Sequence, residues 1–427
     1  MNRSGPDRGT EYTKWAASRP GVPNSASRRR FVFAPLQRPI FTFLGILAFA
    51  LVVVGGGYAM FGAGGPALSA DHDAVAATID LNASICCIEY QEIDDEPYLF
   101  TVVLEPQGFI RDSRPPDISL RVISLGDGEM SEIASIDAPI ESFLPRTMAM
   151  IDATMFVPLG ISRSDDRGIW TVDVSDPANP AHVGFKPGGP FVTGVATDDD
   201  DLLVAHSQGT FHFFDASADG ELAALGEFDQ PVSAVHRLII DRERQRMYYR
   251  EVRSNQIHIS NISDPVAVEP LGNLQNADRM GRYQAVRADE IDSPEDRLEA
   301  TAPAGHYQDF ALYEETLYVA AGDLGLEIVD VSDATSPDTL DRIQLDGRAV
   351  RTEIAEESLY VVTVSAESRD RLGYQIHSFD LGDPSQPELT ATIDDIRAAP
   401  GRQAIETGGG YVFLGLHDSI VMLEPDR

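Results

Sequence analysis

GLEIVDVSDATSP, from Gly325 to Pro337, is the clearest copy of a short pattern that recurs along the chain. Its first half alternates apolar and polar residues, as a half-buried β-strand does, and its second half is an Asp-rich turn ahead of a proline. Related stretches begin at Ser119, Gly168, Gly209, Asn255, Gly373 and Ser419. The chain therefore contains seven copies of one unit.

The spacing of these copies predicts the architecture. Aligned on the residue that ends the strand, they give Ser124, Asp173, Asp215, Asn261, Asp330, Asp380 and Glu424, so most intervals are of 42 to 50 residues and one is of 69. The fifth copy lies within four strand-like runs, YQDFALY, TLYVAAG, GLEIVDVS and DTLDRIQL. A period of this length with four strands is typical of a β-propeller. We expect an all-β protein with seven blades; six or eight are the alternatives, since the first and last copies match weakly.

The last unit supplies only three strand-like runs before the chain ends. DAVAATIDL, from Asp73 to Leu81, is similar to PELTATID, the fourth strand of the sixth unit. We therefore expect Asp73 to Leu81 to complete the last blade. A ring closed in this way has no open sheet edge between its first and last blades.

The strands LEIVD and WTVDV, with their variants, resemble those of the LVIVD-repeat β-propellers. The resemblance covers Asp73 to Arg427 and is most specific in the second and fifth units. It implies a protein that is exported or held at the cell surface. It implies no catalytic residue and no cofactor, because the biochemical role of the family is undetermined.

The N-terminal region predicts a membrane anchor. Ile40 to Gly65 has no charged residue, and residues 40–63 are long and apolar enough for one transmembrane helix. Residues 1–39 form a basic tail, so the tail is expected in the cytoplasm and the propeller, residues 73–427, outside, after a linker at 64–72. The alternative is a secreted protein whose leader is cleaved after ALSA, before Asp71. SRRRFVF, from Ser27, also resembles a twin-arginine export signal.

The formal net charge is −35, and the basic tail makes the remaining chain more acidic still, at about −41. Only Lys14 and Lys186 are lysines. Such a surface suits concentrated salt, where repulsion among carboxylates is screened. It disfavours nucleic acid as a partner.

Cysteines and histidines give little sign of a metal site. Cys86 and Cys87 are adjacent on the predicted innermost strand of the first blade, where neighbouring side chains point to opposite faces. We expect two small buried thiols; a vicinal disulfide or a metal contact remains open. The nine histidines show no paired spacing typical of zinc, and one Asp in each repeat turn is too few for calcium, so no metal is predicted.

Two functions remain open. The first is a non-catalytic binding or scaffold module for a protein or a surface polysaccharide, held at the membrane. The second is a propeller hydrolase or lyase with its site in the central funnel. Side chains expected to line that funnel from the innermost strands are Arg146, His236, Asp309, Arg351, Glu353 and Arg402.

The expected binding surface is the face that carries the loops between second and third strands. Those loops are rich in arginine, a side chain that binds carboxylates through paired hydrogen bonds. The candidates are Arg111, Arg114, Arg163, Arg167, Arg253, Arg369 and Arg371. The 277–303 insertion, which lengthens one interval to 69 residues, is expected on the same face, either as a binding loop or as a solvated, disordered one.

The acidic composition predicts a salt-dependent fold. Raising salt from 0.1 M to 1 M shortens the screening distance from ~10 Å to ~3 Å, which weakens the repulsion among the excess carboxylates. We expect the thermal unfolding midpoint to rise over this range, measured by circular dichroism. An unchanged midpoint would contradict the adaptation to salt.

Overall fold

Seven antiparallel sheets follow one another along the described chain, six of them with four strands and one with five. The computed structural model describes residues 69–70, 74–104, 117–126, 128–140, 145, 147–159, 168–187, 192–198, 200–207, 209–216, 221–230, 232, 235–251, 255–275, 293–368 and 371–425. All of them belong to the unit Leu51–Arg427. They form a β-propeller of seven blades, which confirms the blade number and the all-β class.

Two short segments precede the first complete blade. They are β1 (Ser69–Ala70) and β2 (Val75–Asp80). Blade one then comprises β3 (Ser84–Ile93), β4 (Glu96–Leu104), β5 (Ile118–Gly126) and β6 (Glu129–Asp137). Blade two comprises β7 (Ala149–Ile151), β8 (Thr154–Leu159), β9 (Gly168–Asp173) and β10 (Ala181–Pro187). Blade three comprises β11 (Val192–Thr197), β12 (Leu202–Ser207), β13 (Thr210–Asp215) and β14 (Ala223–Asp229).

The second half of the ring repeats the scheme. Blade four comprises β15 (Val235–Asp241), β16 (Arg246–Glu251), β17 (Gln256–Asn261) and β18 (Glu269–Gln275), and helix α1 (Pro294–Thr301) follows it. Blade five comprises β19 (Asp309–Tyr313), β20 (Thr316–Ala320), β21 (Leu326–Asp330) and β22 (Asp338–Ile343). Blade six comprises β23 (Arg348–Ala355), β24 (Ser358–Ser368), β25 (Arg371–Asp380) and β26 (Glu388–Ala398). Blade seven comprises β27 (Gln403–Gly408), β28 (Tyr411–Leu416) and β29 (Ser419–Leu423), with β2 as its fourth strand.

The ring closes through β2, as the sequence predicts. β2 pairs antiparallel with β29, from Val75 opposite Leu423 to Asp80 opposite Ser419. The ladder continues at both ends, because the Leu81 N–H donates to the Asp418 carbonyl and the Glu424 N–H donates to the Ala74 carbonyl. The first and last strands of the propeller are thus held in one sheet.

A β-bulge recurs on the outermost strand of all seven blades. In blade five, Ile328 pairs with Asp341 and Val329 with Thr339, so Leu340 is the extra residue. The same irregularity interrupts the outer pair of every other blade. It explains several exposed apolar side chains, because Ile133, Val183, Leu225 and Leu340 are the extra residues of their bulges.

The repeated Asp-rich turn is held by its own carboxylates. In the fifth unit the Asp330 carboxylate accepts a hydrogen bond from the Ser332 N–H at 2.8 Å, and Asp333 accepts one from the Thr335 N–H at 3.0 Å. The turns that follow β9 and β25 have the same pair of bonds, and in the turn after β17 the Asn261 amide oxygen takes the place of the first carboxylate. The turn acids therefore fix backbone geometry, as the sequence predicts.

These turns also join neighbouring blades. A Cβ added at Gly226 or Gly272 would lie 2.3 Å from the carbonyl oxygen of Pro265 or Ala334, which follows the turn acid of the next blade. In blade five a side chain makes the corresponding contact, since the Tyr318 hydroxyl donates to the Pro384 carbonyl at 2.7 Å. In the turns after β17, β21 and β25, one backbone carbonyl thus packs against the preceding blade.

The expectation of two separate thiols is wrong, because Cys86 and Cys87 are joined by a disulfide. Ile85 pairs with Val103 and Ile88 with Thr101, so both cysteines stand opposite one residue of β4. Such a bulge re-aims consecutive side chains, and the strict alternation assumed for a flat strand does not apply.

Part of the insertion is folded. Residues 294–301 form α1, which Ser293 caps at its N-terminus, so the expectation of an entirely disordered loop is wrong for this part. Residues 277–292 lie outside the described residues, as do the predicted tail, the span at 40–63 and the first five residues of the linker, 64–68. Within the described part of the chain, no helix is long and apolar enough to cross a membrane.

The contact between Gly272 and the next blade predicts a sensitive position. We expect Gly272→Ala to lower the free energy of unfolding by about 1–3 kcal/mol, since a methyl group at 2.3 Å from a backbone oxygen forces two blades apart. Urea unfolding followed by circular dichroism measures this. The control is Gly184→Ala on the outer strand of blade two, where an added Cβ meets no described atom within 4 Å. Equal losses for both variants would refute the interblade explanation.

Candidate functional site

The first strand of each blade lies at the axis of the ring. The first strands of blades two to seven contact their neighbours in order, and β27 of blade seven also contacts β3 of blade one. All of these strands begin at the same face of the ring, which we call the upper face. The lower face carries the turns between first and second strands. The charged side chains of the first strands therefore meet around the axis, in what we call the axial channel.

Arg237 of blade four joins three blades across this channel. Its Nη2 donates to Oε2 of Glu353 in blade six at 3.1 Å, and its Nε lies 3.8 Å from Oδ1 of Asp309 in blade five. The Asp309 carboxylate is 7% exposed, whereas the Arg237 side chain is 32% exposed, so the ion pair is shielded from solvent on the acidic side only. Burial lowers the pKa of Arg237, but Glu353 and Asp309 raise it further, and the net shift is upward.

Two further arginines near the upper end of the channel form no ion pair with any described residue. Nη1 of Arg250 donates a hydrogen bond to Nδ1 of His236 at 3.2 Å. Arg351 donates through Nε to the Gln403 carbonyl and through Nη1 to the Val350 carbonyl, both at 2.8 Å. Burial lowers the pKa of Arg250 to about 10 and also lowers that of Arg351, while Asp309 opposes both shifts.

The carboxyl groups of Glu353 and Glu406 resist ionisation. Burial raises the pKa of Glu353, although Arg237 opposes the shift. Burial, followed by the charges of Glu353 and Glu89, raises the pKa of Glu406 well above its ordinary value. Both carboxyl groups therefore keep their protons to a higher pH than an exposed glutamate does.

The residues predicted for the funnel fall into three groups. His236, Asp309, Arg351 and Glu353 lie together at the axis, as described above. Arg402 lies at the entry to β27 and donates to the Pro145 carbonyl at 2.5 Å, which links blade seven to the start of blade two. Arg146 lies outside the described residues.

Of the predicted binding arginines, Arg371 alone is among the described residues. It begins β25, at the upper end of blade six, opposite Ser368. The others lie outside the described part of the chain, namely Arg111, Arg114, Arg163, Arg167, Arg253 and Arg369. Their role stays a prediction.

Sequence reasoning missed Arg237, Arg250 and Glu406. Strict alternation turned His236 inward and Arg237 away, but a bulge between Val235 and Leu238 places both opposite Arg250. No local pattern signals that bulge. Glu406 was predictable from the sequence, because every second position along β27, counted from Arg402, includes position 406.

No group of three or more histidine, cysteine or acidic side chains in the described ranges is arranged to hold a metal ion. The acidic run of the third blade is instead tied to Arg242. That guanidinium lies 3.1 Å from Asp198 and 2.5 Å from Asp200, across the boundary between blades three and four.

Comparison with known proteins agrees with the repeat. The family model described as the LVIVD repeat matches residues 165–185 and 304–343, which include the third strands of blades two and five. The chain is a β-propeller with LVIVD repeats. No curated protein matched this LVIVD propeller in sequence.

Solved structures share its fold. The periplasmic gluconolactonase PpgL of Pseudomonas aeruginosa superposes with a TM-score of 0.52 at 14% identity, over 74% of this chain and 88% of that one. Sqt1 from Chaetomium thermophilum gives a TM-score of 0.49 at 12% identity, over 84% of this chain and all of the other. At these identities the likeness concerns the fold of the LVIVD propeller alone.

The raised pKa of Glu406 predicts a pH-dependent stability. Between the ordinary pKa of 4.5 and the raised folded value, the folded protein binds a proton that the unfolded chain releases, so stability falls as pH rises. Glu406→Gln removes this loss, worth on the order of 1.4 kcal/mol per unit of pKa shift. We expect the variant to melt higher than the parent at pH 8 and equally at pH 4.5.

Thermal melts of both proteins across this pH range at constant salt measure the effect. Glu388→Gln, on the exposed outer strand of blade six, is the control for removal of a surface carboxylate. A Glu406→Gln variant that gains no stability at pH 8 would contradict a buried, proton-binding carboxyl group.

Proposed function

We propose that the LVIVD propeller is an extracytoplasmic binding module for a protein or a surface polysaccharide, held at the membrane by residues 40–63. Its binding surface is the upper end of blade six. The proposal rests on a projection at this end, formed by α1 and the ends of β24, β25 and β26. We call this projection the blade-six platform.

The length of the strands creates this platform. β24 and β25 have 11 and 10 residues, whereas the matching strands of blade five have five each. The ladder between β23 and β24 ends where Arg348 meets Val364, and the β24–β25 hairpin continues beyond it to the Ser368–Arg371 pair. The hairpin therefore rises above the innermost strand of its own blade.

Helix α1, the described part of the insertion, is packed against this hairpin. Leu298 of α1 contacts the buried cluster that includes Val364 and Tyr374. Arg348 Nη1 donates to Glu299 at 2.7 Å and to the Ala302 carbonyl at 2.6 Å, which fixes the end of the helix. Apolar packing and charge-assisted hydrogen bonds together hold α1 on blade six.

A second set of bonds stiffens the outer side. Arg397 of β26 donates through Nε to both carboxylate oxygens of Glu367, at 2.9 and 2.8 Å, and through Nη2 to Asp395 at 2.7 Å. β1 adds a fifth strand here, since Ser69 pairs with Arg397 and Ala70 with Ile396. A preorganised surface loses little conformational entropy when it binds a partner, which favours recognition at this site.

A photo-crosslinking experiment tests the proposal. A photoreactive amino acid replaces Glu295, an exposed residue of α1, in the full-length protein expressed in its own membrane. We expect a discrete crosslinked protein or glycan, identified by mass spectrometry. The control places the same group at Glu243 on the lower face, whose side chain is 85% exposed. Crosslinks from position 243 alone, or none from position 295, would contradict the platform.

The alternative function, a hydrolase or lyase in the axial channel, is favoured by one observation. Glu353 and Glu406 have raised pKa values, as a general acid requires. Lactone hydrolysis is a suitable assay, because one solved propeller of this fold is a gluconolactonase. Turnover that Glu406→Gln abolishes would establish the catalytic role.

A further inference from the structure

The guanidinium groups of Arg250 and Arg351 leave hydrogen-bonding capacity unused. Arg250 is 7% exposed, and its only partner among the described residues is His236. Its Nε is buried and has no hydrogen-bond partner. Nη2 of Arg250 and Nη2 of Arg351 also have no partner among the described residues, yet neither is sealed from solvent. A buried guanidinium in this state carries a desolvation cost that a ligand oxygen would offset.

Arg250 and Arg351 have no ion pair with any described carboxylate. Asp309 and Glu353 both pair with Arg237, and Glu406 also acts on the charge of that guanidinium. An anion between Arg250 and Arg351 would supply the missing partner. A dianion would meet more repulsion from these three acidic residues than a monovalent anion does, which favours a single negative charge.

The shape of the donors selects among monovalent anions. A guanidinium group presents its N–H bonds in one plane, which matches the two oxygens of a carboxylate and not a spherical halide. Asp309 lies beside the arginines with a carboxylate that accepts hydrogen bonds, as the hydroxyls of a sugar acid require. We propose that the upper part of the axial channel binds the carboxylate of a small monovalent acid, such as a sugar acid, between Arg250 and Arg351.

This site is separate from the blade-six platform, so either proposal can fail without the other. Isothermal titration of the full-length protein in detergent, with sodium glucuronate as the probe, tests it. Sodium chloride stays constant throughout, so that chloride exchange contributes no heat. Glucose, which has the same ring without the carboxylate, and inorganic phosphate are titrated in parallel.

We expect glucuronate to bind and glucose to give no saturable heat. Arg351→Gln is expected to weaken glucuronate binding roughly 10-fold to 100-fold, since it removes charge-assisted hydrogen bonds. Arg351→Lys, which keeps the charge without the planar donors, is expected to bind with intermediate affinity. Arg242→Gln, a change to a paired arginine of the lower face, is expected to bind as the parent does.

Circular dichroism spectra and melts establish that each variant is folded; if Arg351→Gln is not, Arg351→Lys carries the comparison. Absence of glucuronate binding by the parent would overturn the proposal. Folded Arg351 variants that bind glucuronate as tightly as the parent protein would also overturn it, because the ligand would then bind elsewhere. Phosphate that binds more tightly than glucuronate would overturn the assignment to carboxylates.

Discussion

The hydrogen-bond ladder between β2 and β29 is the constraint on which the ring depends. A four-stranded sheet is too thin to bury both of its faces alone, so each blade needs a neighbour on both sides. Blade seven has only three strands of its own, and Val75 to Asp80 supply the fourth from the other end of the chain. Without that strand Ile420 and Met422, now buried against blade one, would lose part of their cover. Closure therefore ties the stability of both ends of the propeller together.

Within the ring, the repeated motif forms a strand and also connects its blade to the preceding one. Its Asp side chains hold the turn in one conformation, and the carbonyl after the second Asp fits against a glycine of the preceding blade, as Pro265 does at Gly226. The bulge beside that glycine sends one apolar residue outward, such as Leu225. An exposed leucine is tolerated because the same bulge lets the next turn approach closely.

Sequence patterns predict the direction of a side chain only where apolar and polar residues alternate regularly along a strand. The blade count, the closing strand and the turn acids were predictable, since each depends on a motif that recurs along the chain. Cys86, Cys87 and Arg237 were placed wrongly or missed because bulges on β3 and β15 break alternation. Arg250 lies on a second strand and reaches the axis only through its length. The folded part of the insertion was unpredictable for another reason, since Leu298 packs against residues far away in the chain.

The surface of the propeller is acidic whereas its axis holds arginines, and this difference in charge bears on function. A chain with a net charge of −35 has no shortage of carboxylates, yet the buried Arg250 and the half-buried Arg351 have no acidic partner among the described residues. Burying an unpaired charge costs several kcal/mol, whereas on the surface the same arginines would relieve repulsion among acids. Packing alone does not require them, because an apolar side chain fills such a volume at lower cost. Retained positive charge at the axis of an acidic protein is best explained by a negative group that enters from solution.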